Sequence, residues 1–219
     1  MKNICTLFKS NFLITKIPYI PMYHAHDTLY IYKYRNAPTK KLIIEAKNGK
    51  PDALTLIAKV IHASIHIHIQ HEPSYDPYFP ILVLHAPSSS FALANKQVDH
   101  MAIALNLLSD IQSAYDKRFR KSSHTKVKID IAPYVFMHSK PPLVSQHHKN
   151  RLSRLENTKD RFCIAYDIPY YLLSQYRYIY IVDDVLTTGS TLQALKQILS
   201  TYCLRHNIYP TIYTLAICH

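Results

Sequence analysis

The stretch Tyr178-Ile179-Tyr180-Ile181-Val182-Asp183-Asp184-Val185-Leu186-Thr187-Thr188-Gly189-Ser190-Thr191-Leu192 constrains this chain more than any other. A short apolar run bounded by turn chemistry reads as a strand buried within a parallel sheet. Leu192, Leu195, Ile198 and Leu199 then follow at helical spacing. Two acids therefore stand at the carboxyl end of a strand, where open α/β sheets place their ligands. Four hydroxyl residues surround one glycine at the helix start, where unpaired N–H groups and the helix dipole favour an anion. Acids beside a phosphate site suit a phosphorylated sugar. The spacing also fits an ordinary strand-to-helix turn with N-capping threonines and two solvated acids.

Composition adds weight to the turn. The chain has two glycines, Gly49 and Gly189, where average usage of about 7% would give roughly fifteen. One of the two is spent here, which points to a left-handed or close-approach backbone position.

The sequence Val182-Asp183-Asp184-Val185-Leu186-Thr187-Thr188-Gly189-Ser190-Thr191 resembles the phosphoribosyl-pyrophosphate (PRPP) motif of type I phosphoribosyltransferases, with no departure in the acidic pair or the turn. The resemblance implies that Asp183 and Asp184 face the ribose hydroxyls and carry the chemistry. Thr187, Thr188, Gly189, Ser190 and Thr191, with Val185 and Leu186 before them, would cradle the 5′-phosphate. It also implies Mg²⁺, held by Asp183, Asp184 and substrate oxygens.

A second group narrows the likeness. Gln146, Leu152, Arg154, Asn157 and Phe162 precede the acidic strand, and Gln-(x)7-Arg-x-x-Asn-(x)4-Phe is similar to the pattern of the ComF family. Tyr30 to Lys47, Lys47-Asn48-Gly49 and Gln97 fit the same pattern, so the likeness runs from Thr28 to the C-terminus. ComF proteins are phosphoribosyltransferase-like and associated with DNA uptake in natural competence. The likeness implies PRPP or a related phosphorylated ribose as ligand, and single-stranded DNA or other competence proteins as partners. Two departures stand out. The family's four-cysteine zinc ribbon has no counterpart beyond Cys5, so no zinc is expected. The family's arginine- and glycine-containing segment is replaced by Ser88-Ser89-Ser90-Phe91-Ala92-Leu93-Ala94-Asn95. Candidate contacts to pyrophosphate or nucleic acid are then Lys47, Ser88, Lys96 and Arg154. On local evidence Lys47 reads first as a lysine ending a helix.

Three functions fit these residues. One is a phosphoribosyltransferase whose acceptor carries no readable signature. Another is a competence protein that handles single-stranded DNA without turnover. The third is a salvage enzyme for a free nucleobase.

The formal net charge is +12. Lys117 to Arg161 carries twelve Lys or Arg against three acids, so +9 of it lies there. Such a segment attracts a polyanion or forms a lysine-rich solvated face. No apolar stretch has the length of a membrane helix, and Met1 to Ile20 lacks a continuous apolar signal-peptide core. Cys5, Cys163, Cys203 and Cys218 are scattered without metal or redox spacing. A cytoplasmic protein with reduced thiols is expected.

The remaining pattern alternates strands and helices. Thr28 to Tyr34 reads as a strand, Arg35 to Pro38 as a turn and Lys40 to Lys50 as a short helix ending at Gly49. Pro51-Asp52 opens a helix with Leu54, Ile57, Ala58 and Ile61 on one face. His62 and His66 continue its spacing, whereas Ile65 to Ile69 alternates as a strand does. The histidines from His62 to His71 could ligate a metal, but surface or half-buried rings are the plainer expectation. Phe79 to Leu84 reads as a strand, Phe91 to Tyr115 as a long helix, and Val127 to Phe136 as a third strand. Val144 to Asp160 reads as a charged helix, Phe162 to Ile168 as an extended piece, and Tyr209 to Ile217 as the last strand. The expected architecture is α/β, a mainly parallel sheet with helices on both faces, as in the type I phosphoribosyltransferase fold. Residues 1–27 are an N-terminal extension to a domain spanning 28–219.

Overall fold

A computed structural model describes residues 22–25, 27–88, 98–119, 127–132, 135–139, 162–165 and 169–219. The strands are β1 (Tyr23–Ala25), β2 (Thr28–Tyr32), β3 (Ile81–His85), β4 (Ile129–Ile131), β5 (Phe136–His138), β6 (Phe162–Ile164), β7 (Tyr178–Val185) and β8 (Thr211–Cys218). The helices are α1 (Ala37–Lys47), α2 (Pro51–Gln70), α3 (His100–Phe119), α4 (Tyr170–Leu173) and α5 (Ser190–Arg205). Six strands form one sheet in the order β1-β2-β8-β7-β3-β4. Every pairing in it is parallel except β1 with β2. The expected α/β class, with a mainly parallel sheet and helices on both faces, is what the chain adopts.

β7 lies inside the sheet, between β8 and β3, and its side chains sort by period two. Tyr178, Tyr180 and Val182 join Ile43, Ala46, Ile57, Ile61, Met101 and Leu105 in a core between the sheet and α1, α2 and α3. Ile179 and Ile181 join Leu192, Leu195, Leu199 and Cys203 of α5 on the opposite face. The buried tyrosines of β7 keep their hydroxyls paired, as burial of a phenol requires. Tyr180 shares a 2.6 Å hydrogen bond with His68 Nδ1, and Tyr178 donates to the carbonyl of Ser74.

This arrangement sets the place of the site. After β3 the chain passes into α3, which packs on one face. After β7 it passes into α5, which packs on the other. β3 and β7 are neighbours, so the two connections part between them. A crevice opens at such a switch point, outside the carboxyl ends of the strands.

Several elements differ from the sequence expectation. Val127 to Phe136 is not one strand. Ile129–Ile131 pairs with β3, while Phe136–His138 pairs antiparallel with β6 in a separate two-stranded sheet. Pro133 lies between them in the sequence, and a proline has no N–H to give a ladder. The alternating Ile65-His66-Ile67-His68-Ile69 is the last part of the 20-residue α2, because the helical spacing begun at Leu54 continues without a breaker. His62 and His66 are buried within that helix rather than on a surface. Pro38, expected in a turn, occupies the first turn of α1, where its missing N–H costs nothing. The described helix after β3 begins at His100, preceded by Asp99, whose carboxylate accepts the N–H of Ala102 at 3.2 Å as an N-cap. Residues 91–97 and the helix expected over Val144 to Asp160 lie outside the described residues. Tyr23–Ala25 forms the antiparallel edge of the large sheet.

α1 ends as its sequence suggests. Gly49 has φ +75°, its N–H reaches the Ala46 carbonyl at 2.8 Å, and the Lys50 N–H reaches Glu45 at 3.0 Å. These are the two bonds of a Schellman cap. A Cβ on Gly49 would meet Val98 at 3.6 Å, an ordinary contact, so space does not exclude one. The backbone does. Gly49→Ala is therefore expected to cost about 1 kcal/mol through its left-handed conformation. Urea denaturation of the variant at neutral pH reads that loss.

Candidate functional site

The functional stretch begins where β7 leaves the sheet. Asp183 sits opposite Ala216, and Val185 opposite Cys218, in the β8 register. Leu186 continues the pairing with an N–H bond of 2.7 Å to the Cys218 carbonyl. Successive residues of a strand face opposite ways. Asp184 follows Tyr180 and Val182 toward α1 and α3, and Asp183 follows Ile179 and Ile181 toward α5. The two side chains start on opposite faces, yet their carboxyl groups meet at the strand end through a shared hydrogen bond.

On the first side Asp184 is nearly buried, and a lysine and a histidine side chain converge on its Oδ2. Lys47 Nζ, from the last turn of α1, lies at 2.7 Å, and His100 Nε2, from the first turn of α3, at 3.0 Å. Burial works to raise the Asp184 pKa. The hydrogen bond from His100 and the Lys47 ammonium outweigh it, so the carboxyl lies well below its usual range. Burial likewise works against the Lys47 ammonium, and the charges of Asp184 and Asp183 raise its pKa above the ordinary lysine value. Asp183 behaves in the opposite way. Burial, and then the charge of its neighbour, push it well above the normal carboxylate range, even though its Oδ1 accepts the Asp184 N–H at 2.8 Å.

On the other side lies the turn. Gly189 has φ +73° and is the N-cap of α5. Only a residue without Cβ adopts that conformation freely. Its carbonyl accepts the N–H of Gln193 at 2.9 Å, which starts the helix. Thr188 Oγ1 and Ser190 Oγ lie 2.9 Å apart, and the Ser190 N–H points to Thr188 Oγ1 at 3.4 Å. Thr187 is exposed, and Thr188 and Thr191 are half-buried. The first N–H groups of a helix have no intrahelical partner, and the dipole adds a positive end. The turn therefore offers backbone donors and hydroxyls to an anion, one residue run away from two carboxylates.

Of the residues singled out by sequence, Asp183 to Thr191 form one continuous wall and Lys47 joins it. Lys47 reads from the sequence first as a helix-end lysine, and the structure places it there with its Nζ on Asp184. Ser88 lies after β3 and donates to Asp99 Oδ1 at 3.0 Å, next to His100. Lys96 and Arg154 lie outside the described residues, as do Gln97, Gln146, Leu152 and Asn157. His100 was missed. Its only signal was Asp99, a good N-cap residue just before it, and the pattern placed both inside a longer helix.

Among the described residues, no group of three or more His, Cys, Asp or Glu is placed to hold a metal ion. The pair Asp183 and Asp184 is the donor set a magnesium ion would use, completed by substrate oxygens and water. Among the described residues, no helix is long and apolar enough to cross a membrane.

No family model and no curated protein matches the sequence. Among solved structures, a hypoxanthine phosphoribosyl transferase from Trypanosoma cruzi is similar at 15% identity, over 78% of this chain and 64% of its own length, with a TM-score of 0.33. A glutamic acid mutant at an invariant aspartic acid of HPRTs is similar at 14% identity, over 78% of this chain and 66% of its own, with a TM-score of 0.29. The chain thus spans a little under two thirds of the length of each. The fold described above rests on the strand order and the two cores, not on these likenesses.

Proposed function

We propose that the chain is a phosphoribosyltransferase-type protein that binds PRPP, or a related phosphorylated ribose, at the carboxyl end of β7. The 5′-phosphate lies in the turn Thr187 to Thr191, and the ribose hydroxyls face Asp183 and Asp184. One observation carries this reading. A glycine with φ +73° opens a helix directly after two adjacent acids, at the sheet's switch point. Phosphate and diol receptors are thereby set one turn apart. Magnesium enters with the ligand's pyrophosphate, Asp183 and Asp184 being the residues that would hold it. Lys47 stands beside the acids, where a leaving pyrophosphate would need a cation. Gln146 to Phe162 and the +9 of Lys117 to Arg161 support the finer ComF-like assignment, a role in DNA uptake with single-stranded DNA or competence proteins as partners.

Calorimetry with PRPP and Mg²⁺ tests the site. The wild type is expected to bind. Asp183→Asn leaves the Lys47–Asp184 pair in place and is expected to lose roughly 10- to 100-fold in affinity, the worth of a hydrogen bond to a charged group. Equal affinity in both proteins sinks the assignment. Pyrophosphate release, screened over nucleobases and amines, then separates an enzyme from a binding protein.

A further inference from the structure

The connection from β3 to α3 is fastened to itself beside the acids. The Ala86 N–H reaches the Val182 carbonyl at 2.9 Å, so β3 runs out next to β7. Two residues on, Ser88 Oγ donates to Asp99 Oδ1 at 3.0 Å, across eleven positions of sequence. The same oxygen takes the N–H of Ala102 at 3.2 Å. One carboxylate oxygen therefore holds the start of the connection and caps the first turn of α3. The next residue is His100, whose side chain is 12% exposed, with Nε2 3.0 Å from Asp184 Oδ2. An ionised carboxylate only accepts, so Nε2 carries the proton of this bond. Lys47 meets the same oxygen from a flexible four-carbon stem, and its side chain is 41% exposed. The imidazole is the stiffer partner, and its direction follows from how the first turn of α3 is held. Met101, Ala104, Leu105 and Leu108 lock the helix beyond that turn into the core.

We propose that His100 is a positioning residue for Asp184, and that the hydrogen bond between Ser88 and Asp99 sets His100. The bonded pair fixes the first turn of α3, the turn aims the ring, and the ring holds one oxygen of Asp184. The acidic pair is thereby presented to the ribose hydroxyls in one orientation. Affinity for the sugar then depends on Ser88 and Asp99 through His100 rather than through contact. This proposal rests on the ribose-phosphate reading of the site.

The test uses the full chain, with ribose 5-phosphate and PRPP as probes in calorimetry with Mg²⁺, and urea denaturation to show that each variant is folded. His100→Leu is expected to lose about tenfold in affinity for both probes, a typical worth for one charge-assisted bond. His100→Gln can bring an amide N–H to the same oxygen and should recover most of that loss. Asp99→Ala, two steps from the ligand, should lose roughly three- to tenfold for both probes. Asp99→Asn keeps the accepting oxygen and should bind as the wild type does. Asp99→Ala combined with His100→Leu should lose no more than His100→Leu alone, because Asp99 acts through the ring. Ser88→Ala leaves the cap in place and serves where Asp99→Ala does not fold; roughly threefold loss for both probes is expected. Wild-type affinity in His100→Leu, or in both Asp99→Ala and Ser88→Ala, overturns the proposal and leaves the site reading intact. So do losses that multiply in the double variant, or a Ser88→Ala loss confined to PRPP, which marks a direct contact to pyrophosphate. Absence of binding of either probe by the wild type overturns both.

Discussion

Asp183→Asn and Asp184→Asn, one residue apart, are expected to change stability in opposite directions at neutral pH. Asp184 is ionised and paired with Lys47 and His100. Its asparagine variant leaves the Lys47 charge facing a neutral amide in a nearly buried place. Removing one partner of a buried pair typically costs 3–5 kcal/mol, and the partial exposure of Lys47 lowers the expectation to about 2–3 kcal/mol. Asp183 is held against its preference, because burial and the neighbouring charge favour its protonated form. A neutral amide there removes the conflict, so Asp183→Asn should gain on the order of 1 kcal/mol. The pH dependences follow. The raised pKa of Asp183 means that its unfavourable contribution appears as pH rises above the ordinary aspartate value of 3.8 toward the folded value. The lowered pKa of Asp184 means that its favourable contribution is present above 3.8 and is lost as pH falls below it. Urea denaturation of both variants at pH 7 tests the pair. Changes of the same sign refute the division of roles. Adding Lys47→Met to Asp184→Asn should recover part of the loss, because no charge is then stranded.

The division between the acids explains what could be read from the chain and what could not. The strand, the acids and the turn are local. Their order and a single glycine in a glycine-poor chain specify a strand end, an anion site and a helix start without any long-range information. That Asp183 and Asp184 leave the strand on opposite faces follows from the strand period alone; that their carboxyl groups then meet does not. Which partner each acid meets does not. Lys47 lies 137 positions before Asp184 in the numbering, and His100 lies 84 before it. Both arrive through the packing of α1 and α3 on one face of the sheet, which a pattern of apolar residues implies but cannot register. The failures have the same origin. Ile65 to Ile69 reads as a strand over five residues, and only the length of α2 and its burial against α3 make it a helix. Val127 to Phe136 reads as one extended run, and only the pairing of Phe136–His138 with β6 shows that it serves two sheets.

Acid is expected to loosen the α2–α3 layer before it reaches Asp184, whose carboxyl is held well below its usual range. His62 and His66 are one helical turn apart on α2, fully buried, with ring centroids 4.4 Å apart. Both turn Nε2 toward one atom, Gln112 Oε1 of α3, at 2.8 and 3.4 Å. Gln112 spends its amide N–H groups on the Val127 carbonyl at 3.0 Å and Asp116 Oδ1 at 3.1 Å. Its oxygen must therefore face the rings, and each ring must carry its proton on Nε2. The two Nδ1 atoms are buried without a hydrogen-bond partner among the described residues. Protonation there would place a donor and a charge against apolar side chains and the edge of Tyr115, with Asp116 the nearby acid. Burial accordingly lowers both pKa values. His66 falls from 6.5 to about 3, with the His62 charge adding to the effect, and His62 moves the same way with the Gln112 bond and Asp116 opposing. The unfolded chain takes up a proton near 6.5 and the folded chain does not. Stability is then complete above that pH and is lost as pH falls through the window from 6.5 toward 3. At pH 4.5 the loss from His66 alone is expected to be roughly 2–3 kcal/mol. Chemical denaturation at pH 7 and pH 4.5 measures it. His66→Phe, which keeps a flat ring and cannot titrate, should flatten the slope. An unchanged slope refutes the assignment. Because α3 also carries His100 to Asp184, ligand affinity should weaken in the same acid window, and His66→Phe should blunt that loss as well.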